Sequence, residues 1–180
     1  GGGTMGAGIA VAVLRAGLNV TMVEADKEAV NRGKANVEKN LDGFVQRGRL
    51  SEAGKTETLA RFMATTDYSM LSNIDLAIEA VFEDMTVKQQ VFKQLDYNMR
   101  DGAILATNTS YLDIDEIAAA TRRPRDVIGL HFFSPAHVMR LLEVVETDLT
   151  GDDVIATGFD LAKKLGKVAV LSAVCDGFIG

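Results

Sequence analysis

The chain has 180 residues, of which 47% are hydrophobic and 24% charged, a composition typical of a globular domain with a sizeable core. Its formal net charge of −6 argues against binding to nucleic acid or to an anionic membrane surface, since both favour basic proteins. No apolar run approaches the roughly 18 residues that a membrane-spanning helix needs. A single cysteine excludes an internal disulfide and fits a reducing compartment. No His, Cys or carboxylate cluster has metal-ligand spacing, so we predict no metal.

Predicted helices and strands alternate along the chain. Apolar spacing, capping residues and turn signals predict, in chain order, a helix over Thr4–Ala16, a strand over Val20–Glu24, helices from Asp26 to about Gly48 and from about Glu52 to Phe62, strands over Ala64–Thr66 and Leu76–Ala80, a helix over Thr86–Met99, a strand over Ala103–Thr107, a helix over Asp113–Thr121, strands over Val127–Phe133 and Leu141–Val145, a helix capped by Thr150 and ending at Leu165, and a strand over Val168–Leu171. This order predicts an α/β fold with a Rossmann-like, doubly wound, mostly parallel sheet and helices on both faces.

Two features depart from a regular doubly wound pattern. The helical pair between about 26 and 62 stands where one crossover helix is usual, so it is interpreted as an insertion after the second strand. The segments 127–133 and 141–145 are joined by too short a link for a helical crossover. We therefore expect these two strands to form an antiparallel pair at the edge of the sheet.

Glycines lead directly into the first predicted helix, as Gly1-x-Gly3-x-x-Gly6. Such a turn lets a pyrophosphate approach backbone N–H groups at a helix N-terminus. Glu24 ends the next strand, where a carboxylate accepts hydrogen bonds from ribose hydroxyls and repels a 2′-phosphate, which favours NAD over NADP. A methyltransferase shares the glycine-rich turn and the strand-end acid, so these residues alone do not choose the cofactor.

A histidine and a glutamate each stand alone in an apolar run within GLHFFSPAHVMRLLEVV, at His131 and Glu143. Ser134-Pro135 turns the chain between them, because proline cannot continue a strand ladder. A base and the acid that orients it are arranged in this way. A buried histidine satisfied within the core is the alternative interpretation.

Six segments together resemble one family: GGGTMGAGIA, the strand-end Glu24, IEAVFEDMTVKQQVF, ATNTS, HFFSPAHVMRLLEVV and CDGFIG. They are similar, in this order and over essentially the whole chain, to the NAD-binding domain of the 3-hydroxyacyl-CoA dehydrogenases of fatty-acid β-oxidation. HFFSP and CDGFIG resemble the multifunctional members in particular. The resemblance implies that 1–180 is an NAD-binding domain truncated at both ends. It also implies a first strand before Gly1, a hydratase/isomerase domain upstream, and a helical C-terminal domain after Gly180.

The resemblance implies roles for the residues at the reacting end of the substrate. His131 would remove the proton of the 3-hydroxyl as hydride leaves C3, and Glu143 would fix the tautomer of His131. Ser110 would hydrogen-bond near the reacting oxygen and the cofactor, and Asn108 would shape the turn that carries Ser110. These positions follow from the matching motifs ATNTS and HFFSPAHVMRLLEVV.

The resemblance also assigns residues to the cofactor and to CoA. Met5 and Glu24 would lie on the adenosine side of NAD, and Glu83 and Lys88 on the nicotinamide-ribose side. Ser134 replaces an Asn that contacts the cofactor in shorter relatives, and the helical pair would grip the CoA part of the substrate. Glu79 and Glu83 are four residues apart, and only Glu83 is interpreted as functional.

The family implies L-3-hydroxyacyl-CoA as the substrate, a bacterial cytoplasm or, in a eukaryote, a peroxisome or mitochondrion as the compartment, and a homo-oligomer formed through the missing domain. Its remaining catalytic Asn would fall at position 181, so we expect 1–180 alone to bind NAD but to turn over poorly. An NAD-binding module without catalysis and a dehydrogenase of another hydroxy acid are the alternatives. The intact His131 and Glu143 argue against the binding module, which needs no proton acceptor.

Overall fold

The computed structural model of the chain describes residues 1–175 and 177–179. Asp176 and Gly180 of the CDGFIG motif therefore lie outside the described residues. Within the described residues the helices and strands follow in this order: α1 Thr4–Arg15, β1 Val20–Val23, α2 Lys27–Gln46, α3 Glu52–Leu59, β2 Phe62–Thr65, β3 Leu76–Glu79, α4 Met85–Asn98, β4 Ile104–Thr107, α5 Ile114–Ala118, β5 Val127–Phe132, β6 Leu141–Glu146, α6 Asp152–Lys164 and β7 Val168–Ala173.

The chain divides into two compact units. Unit 1 comprises Gly1–Asp67 together with Ser134–Met139. Unit 2 comprises Tyr68–Phe133 together with the described residues from Arg140 onward. The α/β fold with mostly parallel strand pairing agrees with the prediction from the sequence.

Unit 1 is built on a parallel pair of strands, β1 and β2, with Val20 opposite Phe62. The predicted inserted pair is present as α2 and α3, which lie between these strands in the chain. β2 begins at Phe62, where the sequence predicted the end of a helix. The core of unit 1 contains apolar side chains of α1, β1 and α2: Ala7, Ala10, Val11, Leu14, Met22, Val37, Leu41 and Phe44. The first helix of the insertion is thus part of the core.

Unit 2 contains a five-stranded sheet of order β3-β4-β5-β6-β7. β3, β4 and β5 are parallel to one another, and β5 and β6 are antiparallel as predicted. The expectation that this pair forms the edge of the sheet is wrong, because β7 pairs with β6. Helix α6 follows β6 and returns the chain, so that β7 lies parallel to β6 on its outer side.

Side-chain caps begin several helices, whereas the cap predicted for α6 is wrong. The side chains of Asp26, Ser51 and Asp113 accept hydrogen bonds from backbone N–H groups of α2, α3 and α5. Thr150 is not the cap of α6, whose N-cap is Gly151. The Thr150 hydroxyl instead donates to a backbone carbonyl at the start of β5, 2.8 Å away, so this side chain links a loop to the sheet.

No described helix is long and apolar enough to cross a membrane.

Candidate nucleotide-binding turn and active site

The glycine-rich turn of unit 1 ends where α1 begins, with Gly3 as the N-cap. The first N–H groups of a helix have no partner within it, and they form a site for an anion. A Cβ added at Gly2 would lie 2.5 Å from Met22 Sδ and 2.6 Å from Gly33 Cα, whereas one at Gly3 would meet nothing within 4 Å. The turn is therefore packed against β1 and α2 on one side and open on the other, which is the shape that a pyrophosphate needs.

The turn is held by side chains from both neighbouring elements. The Gly2 N–H donates to Oε1 of Glu24, directly after β1. The Asn36 amide of α2 donates to the Gly2 carbonyl at 2.9 Å. Sequence reasoning found Glu24 by its strand-end position but missed Gly2, Gly33 and Asn36. The run of three glycines at the start of the chain was a signal for Gly2. No such signal exists for Gly33 and Asn36, because they contact Gly2 only through the packing of α2.

The other residues predicted for the cofactor in unit 1 take varied positions. Met5 and Gly6 lie half-buried in the first turn of α1. Ser134 is exposed, and its peptide bond to Pro135 is cis. Their contacts with NAD remain predictions.

A basic cavity of about 690 Å³ lies in unit 1 beside α1 and α2. Its lining includes Arg15, Lys39, Arg47 and Arg49, and among the described residues no carboxylate lines it. The guanidinium of Arg15 lies 3.8 Å from the centre of the Phe44 ring. Burial, and after it the charge of Arg49, lower the pKa of Arg15 from its ordinary value. Arginine nevertheless stays charged, so the cavity gathers positive charge in an acidic chain and suits a polyanionic ligand.

In unit 2, His131 on β5 stands directly opposite Glu143 on β6 in the antiparallel register. Nδ1 of His131 lies 2.6 Å from Oε2 of Glu143. The Glu143 side chain is 0% exposed and that of His131 is 12% exposed. The second oxygen of Glu143 accepts a hydrogen bond from the Ile179 N–H at 3.1 Å. Both carboxylate oxygens are thus engaged, which fixes the orientation of the acid.

The imidazole ring of His131 lies among aromatic side chains. Its centre is 4.4 Å from that of Phe133 and 5.8 Å from that of Phe178. Because Nδ1 faces a carboxylate, the proton of the neutral ring is held on Nδ1, and Nε2 is left as the proton-accepting atom. The pair can therefore take a proton at Nε2 and stabilise the resulting imidazolium through Glu143.

The turn after β4 carries the predicted Asn108 and Ser110. The Asn108 side-chain carbonyl accepts a hydrogen bond from the Phe132 N–H at 2.8 Å, next to His131 in the chain. Glu83 Oε1 accepts hydrogen bonds from the Thr109 hydroxyl and from the Ser110 N–H. The structure thus brings Glu83 and Ser110 together, and their contacts with the cofactor remain predictions.

Lys88, predicted to lie on the nicotinamide-ribose side of NAD, is buried. Its side chain is 1% exposed, and its ammonium lies 2.8 Å from Oε1 of Glu79 and 3.5 Å from Oε2 of Glu83. Glu79 could not be distinguished by sequence from an ordinary charged residue at the end of a strand. The structure shows that Glu79 is the main partner of Lys88.

A glycine-rich turn with a strand-end acid, and a buried His–Glu pair on neighbouring strands, are typical of the nucleotide-binding domain of a dehydrogenase. The family model described as "3-hydroxyacyl-CoA dehydrogenase, NAD binding domain" matches residues 1–175. The chain belongs to this family, and NAD is its cofactor. The open side of the turn at Gly3 and the carboxylate of Glu24 fit that cofactor.

Relatives are similar over nearly the whole chain. The peroxisomal bifunctional enzyme of Cavia porcellus is 43% identical over 178 residues, which cover 99% of this chain and 24% of that protein. The 3-hydroxybutyryl-CoA dehydrogenase of Clostridioides difficile is 42% identical over 179 residues, covering 99% of this chain and 64% of that protein. The crystal structure of (S)-3-hydroxybutyryl-CoA dehydrogenase from Ralstonia eutropha matches with a TM-score of 0.97 and 39% identity, covering 100% of this chain and 64% of that one. The chain thus spans only part of the length of these relatives.

Proposed function

We propose that the protein containing this chain oxidises L-3-hydroxyacyl-CoA to 3-ketoacyl-CoA in fatty-acid β-oxidation. The observation that carries the proposal is the His131–Glu143 pair, with Nδ1 and Oε2 2.6 Å apart, in a domain of this family. A module that only binds NAD has no use for a buried, oriented proton acceptor. The similarity to a 3-hydroxybutyryl-CoA dehydrogenase supports a 3-hydroxyacyl thioester as the substrate.

The proton transfer follows from the geometry of the pair. Glu143 accepts the Nδ1–H of His131 and keeps Nε2 unprotonated. Nε2 takes the proton of the substrate's 3-hydroxyl, and Glu143 stabilises the imidazolium so formed. Ser110 would hydrogen-bond the reacting oxygen. When bound, NAD supplies the chemistry that this chain lacks by accepting the hydride from C3.

The residues proposed for the cofactor are Gly1, Gly3, Met5, Gly6, Glu24, Glu83, Lys88, Asn108, Ser110 and Ser134. Those in unit 1 that surround the glycine-rich turn would hold the adenosine half of NAD. Glu83, Ser110 and the residues bonded to them in unit 2 would serve the nicotinamide half.

The basic cavity of unit 1 supports CoA as the carrier of the acyl group. CoA bears several phosphate charges, and arginines bind phosphates through paired N–H donors. Arg15, Arg47 and Arg49 line this cavity beside α2, the first helix of the inserted pair. This placement supports the expectation that the pair grips CoA.

The acyl length is tested by comparing thioesters. The similarity to 3-hydroxybutyryl-CoA dehydrogenases favours a short chain, whereas the similarity to fatty acid β-oxidation multifunctional proteins favours longer acyl chains. The ratio of kcat/KM for 3-hydroxybutyryl-CoA to that for 3-hydroxydecanoyl-CoA separates the two.

The first experiment is the initial rate of NAD reduction by the full-length protein with 3-hydroxybutyryl-CoA, run beside free 3-hydroxybutyrate. We expect a fast rate with the thioester only. His131→Gln should lower kcat by about 10²–10⁴-fold while keeping its affinity for NADH, because a general base contributes this much. Tight NADH binding without any thioester-dependent rate would overturn the proposal and favour the binding module.

A further inference from the structure

Glu79, at the end of β3, is a carboxylate whose side chain is 0% exposed. Its Oε1 accepts a hydrogen bond from the Val81 N–H at 2.6 Å, and its Oε2 accepts one from the Thr107 hydroxyl at 2.7 Å. The ammonium of Lys88 donates to the two oxygens at 2.8 and 3.0 Å. A buried charge is stable only when it is paired and hydrogen-bonded in this way. These donors together fix the position of Glu79.

Glu79 in turn fixes Lys88 next to a second carboxylate. Lys88 lies on the first turns of α4, and its ammonium is 3.5 Å from Oε2 of Glu83. A lysine side chain has several rotatable bonds, and the charge of Glu79 selects the conformation that brings the ammonium to Glu83. The charge of Lys88 therefore stabilises Glu83 in one orientation.

Glu83 connects this pair to the turn that bears Ser110. Its Oε1 accepts from the Thr109 hydroxyl and, at 3.3 Å, from the Ser110 N–H. The Thr109 N–H donates to the Thr107 hydroxyl oxygen at 3.2 Å, and that hydroxyl donates back to Glu79. The contacts thus form a closed ring through Glu79, Lys88, Glu83, Thr109 and Thr107.

We propose that Glu79 is a positioning residue for the nicotinamide half of NAD, acting through Lys88 and Glu83 on the turn that carries Ser110. The inference rests on the proposed function, which assigns Glu83 and Ser110 to that half of the cofactor. Replacing a buried ion pair by apolar residues often leaves a protein equally stable. On this proposal, the Glu79–Lys88 pair serves the geometry that it imposes on Glu83.

The test is Glu79→Gln in the full-length protein, with the affinities for NADH and for ADP measured separately. The amide keeps the size of the side chain but removes its charge, so that Lys88 has only Glu83 as a counterion and draws it away from the Ser110 turn. We expect the Kd for NADH to rise about tenfold, the effect of losing one charge-assisted hydrogen bond. The Kd for ADP, which lacks the nicotinamide half, should stay unchanged.

Asp96→Asn is the matched control, because Asp96 is a second buried carboxylate paired with basic side chains, on the same helix α4. It should lower the unfolding temperature without changing the ratio of the two Kd values. If Glu79→Gln lowers the unfolding temperature with no change in this ratio, Glu79 is only structural and the proposal is wrong.

A second set of variants covers the case in which Glu79→Gln does not fold. Lys88→Met and the double variant Glu79→Gln with Lys88→Met remove the uncompensated ammonium. If Glu79 acts through Lys88, the double variant binds NADH as well as Lys88→Met alone. A further loss of affinity in the double variant contradicts this. Both readouts use nucleotides without thioester, so a protein inactive on acyl-CoA would overturn the proposed function and still give a result here.

Discussion

At the residue scale, the main feature of the molecule is the contact between His131 and Glu143 on two paired strands. Each side chain is the ionisable group of an apolar run, and the antiparallel register places the two opposite each other. The sequence was sufficient to predict that the two side chains meet, because a short link joins the two apolar runs that carry them. The N–H of Ile179, which holds the second oxygen of Glu143, was not predictable, because a backbone donor from a distant segment leaves no mark in local composition.

Glu143→Gln tests the role of the acid at the residue scale. A Gln amide can donate to Nδ1 and so place the ring proton on Nε2, where it blocks proton acceptance. We expect kcat to fall by about 10²–10⁴-fold with little change in KM, measured by steady-state NAD reduction. Glu146→Gln, at the end of the same strand, is the control and should stay near wild type. Equal losses in both variants would contradict the assignment.

At the scale of secondary-structure elements, helix α4 carries a buried ionic group near each end. Lys88 lies near its N-terminus, and Asp96 near its C-terminus is bonded to Arg122 and Arg123. Amphipathic spacing predicted the helix to within one residue at each end, but its ion pairs join residues far apart in the chain. A charged residue in a helical pattern is most often solvated, so the sequence could not identify them.

Asp96 should make the stability of the protein depend on pH. Burial raises the pKa of Asp96, but hydrogen bonds and charge from Arg122, together with the charge of Arg123, outweigh it and leave this pKa below its ordinary value. A carboxyl with a lowered folded-state pKa stabilises the fold above its unfolded pKa, and this contribution is lost as pH falls through the folded pKa. We expect Asp96→Asn to lower the free energy of unfolding by about 1–3 kcal/mol at neutral pH.

Urea unfolding across a pH series measures this effect. The difference between wild type and Asp96→Asn should shrink as the pH falls below about 4, where Asp is protonated in the unfolded chain. A difference that stays constant into acid would show that the carboxylate charge is not the cause.

Helix α2 and the glycine-rich turn make a second prediction at the element scale. A Cβ at Gly2 would lie 2.6 Å from the backbone Cα of Gly33, which cannot move without shifting α2. We expect Gly2→Ala to lower the free energy of unfolding by about 1–3 kcal/mol, the usual result of overpacking. Gly3→Ala is the control for stability, because a Cβ there meets nothing within 4 Å. Thermal or urea unfolding of the two variants distinguishes them, and equal stability would contradict the close packing.

At the scale of the whole molecule, the alternation of helices and strands predicted the fold class and the inserted helical pair. It did not predict that Ser134–Met139 belongs to unit 1 while the residues on either side belong to unit 2. A sequence-based division into units assumes that residues adjacent in the chain belong to the same unit. Here tertiary contacts assign a short segment to a different unit from its neighbours in the chain. The same pattern did not predict that β7 pairs with β6. Hydrophobic periodicity indicates that a strand is present, but it does not indicate which strands are neighbours in the sheet.

The distribution of charge is the second feature of the whole molecule, and it predicts a dependence on salt. The chain carries a net charge of −6, yet one cavity is lined by arginines and a lysine. We expect Arg49→Gln to raise KM for 3-hydroxybutyryl-CoA about tenfold, the effect of losing one phosphate contact. The N-acetylcysteamine thioester, which lacks the nucleotide, should be unaffected, and added salt should raise KM for the CoA substrate only.

Arg32→Gln is the matched control for that variant. Arg32 lies on α2 as well, and it pairs with Glu28 at the exposed surface. Its loss should change neither KM nor the salt dependence. If both variants act alike, the cavity is not the site that binds CoA.

The cross-strand register of His131 and Glu143 has a consequence for how this chain can change over generations. A substitution leaves the register intact, but one inserted or deleted residue within β5 or β6 would turn a member of the pair to the opposite face of the sheet. Between His131 and Glu143, only the connecting segment can change in length without disturbing the pair. A change in the length of that segment leaves the pairing of His131 with Glu143 intact, whereas the same change inside either strand breaks it.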